Sequence, residues 1–132
     1  MIFVDSSAII AIIADEPDAP TFVAKIQAED ARISASHVIV EASMRLATIL
    51  ALAPTAADGL ITRAFREAAV GIVPITEEIA HAAVAAFERY GKGRDRAGLN
   101  FGDCLSYACA KAHGARLLFK GDDFAHTDIA RA

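Results

Sequence analysis

The sequence predicts an α/β protein with a central, mostly parallel β-sheet that is covered by helices on both faces. Short apolar runs of strand length alternate along the chain with longer segments in which apolar residues recur at helical spacing. Parallel strands need helical crossovers, and those helices bury both faces of the sheet. The length of 132 residues suits a single domain over residues 1–132 and is too short to divide comfortably into two.

The first two predicted strands enclose two helices. Ile2–Val4 is a short apolar run that ends at the polar cluster Asp5-Ser6-Ser7, where a side chain can cap the helix that follows at residues 8–15. A proline-containing turn then precedes an amphipathic helix near residues 21–29. Residues 32–35 supply the second strand.

The middle of the chain is predicted to be helical. Apolar residues recur at helical spacing over residues 36–53, and a proline follows this segment. Glu41 lies in the second turn of this helix. A further helix is predicted over residues 56–69.

The last part of the chain supplies two more strands and two more helices. Residues 71–75 are short, β-branched and opened by glycine, as expected of a strand. A threonine cap and two acids then predict a helix that reaches about residue 90. A glycine-rich basic loop precedes the next helix, residues 104–113, which Gly102-Asp103 opens. Residues 116–119 form the fourth strand.

Composition excludes several classes of protein. Hydrophobic residues make up 55% and charged residues 23% of the chain, which is typical of a globular protein and not of a disordered one. The longest apolar run, Ala8 to Ala14, has seven residues, whereas a membrane span needs roughly 20. No basic segment precedes an apolar stretch at the N-terminus, so no signal peptide, no membrane partner and a cytoplasmic location are expected.

Acidic residues follow the predicted strands at the edge where sites of open α/β sheets collect. Asp5 follows the first strand, Asp103 begins a helix, and the Asp122-Asp123 pair follows the fourth strand. Glu41 lies in the helix after the second strand and can reach the same edge. Any one of these acids is more often a helix cap than a catalyst. Their joint placement therefore carries the argument for a site.

Several carboxylates brought together repel each other unless a cation neutralises them or some take up protons. Mg²⁺ and Mn²⁺ prefer oxygen ligands, and such an ion can activate water and stabilise charge on a phosphodiester. The chain has no HExxH motif and no cluster of cysteine and histidine, which removes the usual zinc arrangements. The four histidines have no partner at catalytic spacing and are predicted to be helix-surface or capping residues.

Four segments together resemble the PIN-domain ribonucleases of the VapC toxin family. They occur in the order of that family and over essentially the whole chain: Val4-Asp5-Ser6-Ser7-Ala8, Glu41 in an apolar helix, Leu99-Asn100-Phe101-Gly102-Asp103-Cys104, and Leu117-Leu118-Phe119-Lys120-Gly121-Asp122-Asp123-Phe124. The resemblance implies a three-layer α/β/α sandwich and an endoribonuclease dependent on Mg²⁺ or Mn²⁺. It also implies a homodimer and a small VapB-type antitoxin that covers the site.

The resemblance assigns roles to individual residues. Asp5, Glu41 and Asp103 are implied as catalytic, metal-binding acids, and the Ser6 hydroxyl is implied to orient one of the ligands.

The fourth acid is one of the Asp122-Asp123 pair. The Gly-x-Asp-Phe form of this segment favours Asp123, and Asp122 stays open. Many relatives have a Thr-x-Asp pattern here, which Phe119-Lys120-Gly121 does not match.

A local cluster of positive charge is the remaining sequence feature that indicates RNA binding, because the net charge of −4 gives no global attraction to nucleic acid. Lys92, Arg94 and Arg96, with Arg89 just upstream, form the densest basic stretch. These side chains are candidates for contacts with RNA phosphates. A solvated loop is an equally good interpretation.

Two other classes share part of the pattern. A haloacid-dehalogenase-like phosphatase also has an acid after its first strand, but Ser7 stands where that class needs its second acid. A phospho-receiver module, which is not an enzyme, needs paired acids after the first strand and an acceptor aspartate after a middle strand. Asp5-Ser6-Ser7 and Val73-Pro74-Ile75 supply neither.

Overall fold

A four-stranded parallel sheet forms the centre of the structure, a computed structural model that describes all 132 residues. Its strands are β1 (Ile2–Val4), β2 (Arg32–Ala35), β3 (Gly71–Val73) and β4 (Arg116–Leu118). The order across the sheet is β3-β2-β1-β4, and every neighbouring pair is parallel. β1 is therefore an interior strand, and all its residues are buried.

Six α-helices and one short 3-10 helix connect and cover the strands. They are α1 (Ser6–Ile13), α2 (Ala19–Gln27), α3 (Ser36–Leu50), α4 (Pro54–Glu67), α5 (Glu77–Tyr90), α6 (Phe101–Ala112) and the 3-10 helix Asp123–His126. Crossovers between parallel strands are right-handed, so the reversal of direction between β3 and β4 puts α5 and α6 on the face opposite α1 to α4. The predicted three-layer α/β/α architecture is confirmed.

Some helix and strand ends differ from those predicted, each for a local reason. β3 ends at Val73 and not at residue 75, since Pro74 has no N–H to donate to a neighbouring strand. α4 begins at Pro54, because proline is tolerated in the first helical turn. α6 begins at Phe101 and not at residue 104, because the Asn100 side chain caps it.

The core is one continuous cluster of 35 buried residues drawn from the sheet and all six helices. Phe3 and Phe119 are the largest side chains in it that are fully buried. The hydroxyl of Ser34, also fully buried, donates a 2.8 Å hydrogen bond to the carbonyl of Val4. This bond satisfies a polar group inside the sheet and ties β2 to the end of β1, where the acids collect.

No single helix in the structure is both long and apolar enough to cross a membrane. α3 and α4 reach the required length and composition only as a pair, bent by 117°.

Candidate active site

Asp5 follows β1 directly and is the N-cap of α1, with an extended backbone. Its Oδ2 atom accepts hydrogen bonds from the Ser7 N–H at 3.1 Å and from the Ser7 hydroxyl at 2.6 Å. Its Oδ1 atom accepts one from the Ser106 hydroxyl at 2.8 Å. Only 3% of the residue is exposed. Three donors therefore hold a buried carboxylate in one orientation at the carboxyl end of the sheet.

The Ser106 hydroxyl links Asp5 to His37. Its oxygen lies 2.9 Å from Nε2 of His37, and its proton is directed to Asp5, so Nε2 carries a hydrogen and donates to Ser106. Burial lowers the pKa of His37, which favours the neutral ring. The prediction that His37 is a helix-surface or capping residue is wrong: the ring is partly buried and stacks on Phe3.

Glu41, partly buried in the second turn of α3, accepts a hydrogen bond from the Ser6 hydroxyl. Gly102 in α6 lies against the Glu41 carboxylate so closely that a Cβ atom there would overlap Oε2. The chain therefore needs glycine at position 102 for Glu41 to stay where it is. Ser6 and Gly102 together fix this carboxylate between α1, α3 and α6.

Asp103 is the third residue of α6 and forms a reciprocal capping pair with Asn100. Its Oδ2 atom accepts from the Asn100 N–H at 3.1 Å, and its own N–H donates to the Asn100 side chain at 2.9 Å. Burial raises the pKa of Asp103 to about 7 against the effect of the Asn100 bond. The charges of Asp5, Asp123 and Glu41 contribute to the rise. Three acids from separate parts of the chain thus act on Asp103.

The last of these acids lies after β4. Asp122 and Asp123 are both exposed, and Asp123 begins the 3-10 helix. Phe124 anchors this helix to the core, with its ring edge-to-face with Phe119 at 5.0 Å. Asp123, and not Asp122, is among the charges that raise the pKa of Asp103.

The donor set fits a hard divalent cation. All four acids offer oxygen ligands, which Mg²⁺ and Mn²⁺ prefer, and a cation would offset the burial and the neighbouring negative charges that together raise the pKa of Asp103. With the side chains as they stand, no three acids, histidines or cysteines converge closely enough to hold an ion. Mg²⁺ is commonly held by one or two carboxylates together with several waters, which this arrangement allows.

The predicted basic stretch makes no hydrogen bond or salt bridge to the acids. Arg94 donates to the carbonyl of Glu88 at 3.3 Å, and Lys92 and Arg96 are exposed. Arg89 pairs with Asp128 at 3.6 Å. The loop is held by its own backbone bonds.

Three site residues were missed in the sequence: Ser7, Ser106 and Gly102. Ser106 has the clearest signal, because it lies three residues after Asp103 and so on the same face of α6. The contact of Gly102 depends on how closely α3 and α6 approach, for which the sequence carries no local pattern.

Known proteins match this chain over nearly its whole length. The family model described as PIN domain matches residues 2–130. Ribonuclease VapC30 of Mycobacterium tuberculosis is 43% identical over 127 residues, which cover 96% of this chain and 95% of the relative. Ribonuclease VapC of Mycolicibacterium smegmatis is 39% identical over 127 residues, 96% of each chain.

Two solved structures share the fold. The crystal structure of Mycobacterium tuberculosis VapC20, described as a sarcin-ricin loop cleaving toxin, matches with a TM-score of 0.78 at 18% identity and covers 100% of this chain and 98% of that one. A toxin–antitoxin complex from Klebsiella pneumoniae matches with a TM-score of 0.69 at 18% identity, covering 97% and 93%. At this identity the likeness concerns the fold alone.

Proposed function

This chain belongs to the PIN-domain family and, within it, to the VapC ribonucleases, and from that premise we propose that it is the toxin of a VapBC-type toxin–antitoxin pair. Its reaction is the endonucleolytic hydrolysis of phosphodiester bonds in RNA. Membership of this family excludes the phosphatase and phospho-receiver alternatives.

The observation that carries the proposal is the grouping of Asp103 with three other acids at the carboxyl end of the sheet. Asp5, Glu41 and Asp123 all act on its pKa, which burial raises to about 7. A protein gains no stability from acids that repel one another in this way. Such a cluster is therefore expected where a cation and a negatively charged substrate are to be bound.

We propose Asp5, Glu41, Asp103 and Asp123 as the residues that hold the metal, with Asp122 as the alternative fourth acid. Mg²⁺ is the proposed ion, and Mn²⁺ would fit the same oxygen donors. When bound, such an ion lowers the pKa of water and stabilises negative charge on a phosphodiester.

Serine residues near the site orient two of the proposed metal-binding acids. Ser7 and Ser106 hold the Asp5 carboxylate by three hydrogen bonds, and Ser6 holds Glu41. Glu41 is proposed either to bind the ion or to orient the attacking water. Fixed carboxylates lose little entropy when substrate arrives, which is how such groups contribute to rate.

The proposed partners are a VapB-type antitoxin, which would cover the site, and a second copy of the chain. An apolar groove between α5 and α6, which Val84, Phe87 and Leu105 help to line, supports a protein partner. Val84 is 68% exposed and Phe87 is 43% exposed, and exposed apolar patches commonly mark such contacts. The cytoplasm stays the predicted location.

Cleavage of total RNA with and without a chelator tests the metal-dependent reaction. We expect cleavage by the wild-type protein with Mg²⁺, none with chelator, and none with the Asp5→Asn or Asp103→Asn variants. Asp58→Asn is the matched control, because Asp58 is exposed on α4 and away from the acids. Circular dichroism checks that each variant is folded. Metal-dependent cleavage retained by both site variants would overturn the assignment.

A further inference from the structure

Two surface grooves meet at Arg45, one turn after Glu41 on α3. Glu41, Gly102 and Phe101 help to line the first groove, and Arg45 lies at its side. Ser7 and Lys120 help to line the second, which Arg45 also borders. Glu41 lines the first groove, and Ser7, which holds Asp5, lines the second, so the two grooves form a path along the border of the acid cluster.

Arg45 is the cation on this path that is free to bind an anion. The residue is exposed and has no acid within salt-bridge distance. Lys120, by contrast, is bound by Glu16 and by Asp18 at 3.1 Å. In a chain of net charge −4, an unpaired guanidinium beside an acid cluster is a specific feature. Guanidinium groups bind phosphate well.

Phe101 gives the first groove an aromatic face. It is the first residue of α6, two positions before Asp103, and 83% of it is exposed. The two adjoining turns of α3 add Val40 and Met44, which are 59% and 64% exposed. Unstacked nucleic-acid bases stack on exposed aromatic side chains of this kind.

We propose that the first groove binds a single-stranded segment of RNA, with Phe101 stacked on a base and Arg45 in contact with a phosphate. The strand then passes over Glu41. This inference rests on the proposed ribonuclease function and adds the residues that position the substrate.

The charges in this groove favour RNA over a protein surface. Phe101 also borders the groove between α5 and α6, but that groove is lined by apolar residues alone, and a protein could cover it without burying a charge. The first groove contains the Glu41 carboxylate and the unpaired Arg45. An apolar partner would bury both charges at a high cost, whereas a nucleotide offers a base to Phe101 and a phosphate to Arg45.

The stacking contact is tested by RNA binding in the presence of chelator, where no cleavage occurs. The probe is a short, fluorescein-labelled, single-stranded RNA of randomised sequence, and binding is followed by fluorescence anisotropy. Phe101→Leu keeps an apolar side chain but removes the aromatic face, and we expect affinity to fall roughly 5- to 150-fold. Phe101→Trp should retain binding. Leu60→Ala is the control, since Leu60 is an exposed apolar residue on α4 and lines neither groove.

The phosphate contact is tested by the salt dependence of the same binding. Arg45→Gln should weaken binding and reduce the slope of log affinity against log salt by about 0.7, the value for one contact to a single strand. The matched control is Arg66→Gln, which removes the same charge from the last turn of α4. The last turn of α4 comes just before β3 begins. Arg66 therefore lies near the amino ends of the strands, at the edge of the sheet opposite the acids.

Sedimentation of each variant separates this inference from a protein-binding role. Loss of RNA binding with an unchanged sedimentation coefficient supports the groove. Unchanged binding by Phe101→Leu and Arg45→Gln would overturn it, as would a loss of binding that accompanies dissociation of an oligomer. If the wild type cleaves RNA while these variants bind RNA normally, the ribonuclease proposal is retained and the proposal that the first groove binds RNA is rejected. If the wild type binds as described but cleaves nothing with metal, the ribonuclease proposal fails instead.

Discussion

Ser106 donates a 2.8 Å hydrogen bond to Oδ1 of Asp5 and so joins two residues that are 101 positions apart. The same hydroxyl oxygen accepts from His37 on α3. The orientation of Asp5 is therefore set from two helices, and the bond is fully buried because no part of Ser106 is exposed. A hydroxyl with this environment contributes both to stability and to the position of the acid.

Replacing Ser106 by alanine should weaken both the fold and the reaction. Asp5 would lose one of its three donors and His37 its acceptor, and leaving such buried groups unpaired costs about 1–3 kcal/mol. Residues that orient a metal ligand typically affect affinity or activity roughly 10- to 100-fold. Urea unfolding measures the first effect, and cleavage of total RNA with Mg²⁺ measures the second.

Ser43→Ala is the matched control for Ser106. Ser43 lies on α3, is 7% exposed, and its hydroxyl has no hydrogen-bond partner. Removing that hydroxyl should leave stability unchanged or raise it. If Ser106→Ala and Ser43→Ala had the same stability and the same cleavage activity, the bond from Ser106 to Asp5 would contribute to neither.

Gly102→Ala should reduce cleavage while leaving the protein folded. A Cβ atom at this position would overlap the Glu41 carboxylate, which would have to leave Ser6 and move. The helix itself gains from alanine by up to about 1 kcal/mol. We therefore expect at least about a 10-fold loss of cleavage with a thermal midpoint near that of the wild type.

Gly59 on α4 offers the matched glycine, because nothing lies within 4 Å of a Cβ atom built there. Gly59→Ala should stabilise the protein by roughly 0.5–1 kcal/mol and leave cleavage unchanged. Full activity in Gly102→Ala would show that the position of Glu41 is not critical.

Asp103 should make the metal-free protein less stable at high pH. Its pKa is raised from 3.8 to about 7 in the folded state, so between these values the folded protein binds more protons than the unfolded chain. Stability therefore falls as pH rises from about 4 to about 7 and stays low above that range. The full penalty is on the order of 4 kcal/mol at most.

Asp103→Asn removes this penalty and can still accept the bond from Asn100. In chelator at about pH 8 the variant should be more stable than the wild type, and the difference should close as pH falls towards 4. Added Mg²⁺ should stabilise the wild type more than the variant. Urea unfolding at several pH values measures this, and a difference independent of pH would contradict the raised pKa.

The basic loop makes a separate prediction. Neutralising Lys92, Arg94 and Arg96 together should weaken binding of single-stranded RNA and lower the salt slope by up to about 2 if all three contact phosphates. Fluorescence anisotropy in chelator measures both quantities. Unchanged affinity and slope would identify the stretch as a solvated loop.

Much of the fold could be predicted because its signals are local. The parallel sheet follows from short apolar runs between helical segments, and strand β2 has the predicted bounds. The errors lie at helix and strand ends whose position depends on a single side chain. The Asn100 side chain, for example, caps α6, so that the helix begins at Phe101, three residues before the predicted start. A capping bond depends on one side-chain geometry, whereas apolar periodicity accumulates over a whole helix.

The acids could also be proposed from the sequence, since Asp5, Asp103 and Asp123 each follow a strand or begin a helix. The Ser6 hydroxyl, which holds Glu41, is likewise predicted from the sequence, whereas the other supporting residues are not. Ser106 and His37 become partners of Asp5 only because α3 and α6 approach the end of β1. The proposed phosphate contact of Arg45 also lies outside what the sequence indicates, because its lack of an ion pair is visible only in three dimensions.

The sequence by itself determined the fold class and the family and predicted the acids, because periodicity, caps and motif order are properties of neighbouring residues. Only the tertiary structure decided which side chains hold those acids, why position 102 must be glycine, and where the grooves pass. The physical reason is that hydrogen bonds and close contacts between distant segments depend on packing distances. Ser106 and Asp5 are far apart along the chain, and folding brings them within 2.8 Å.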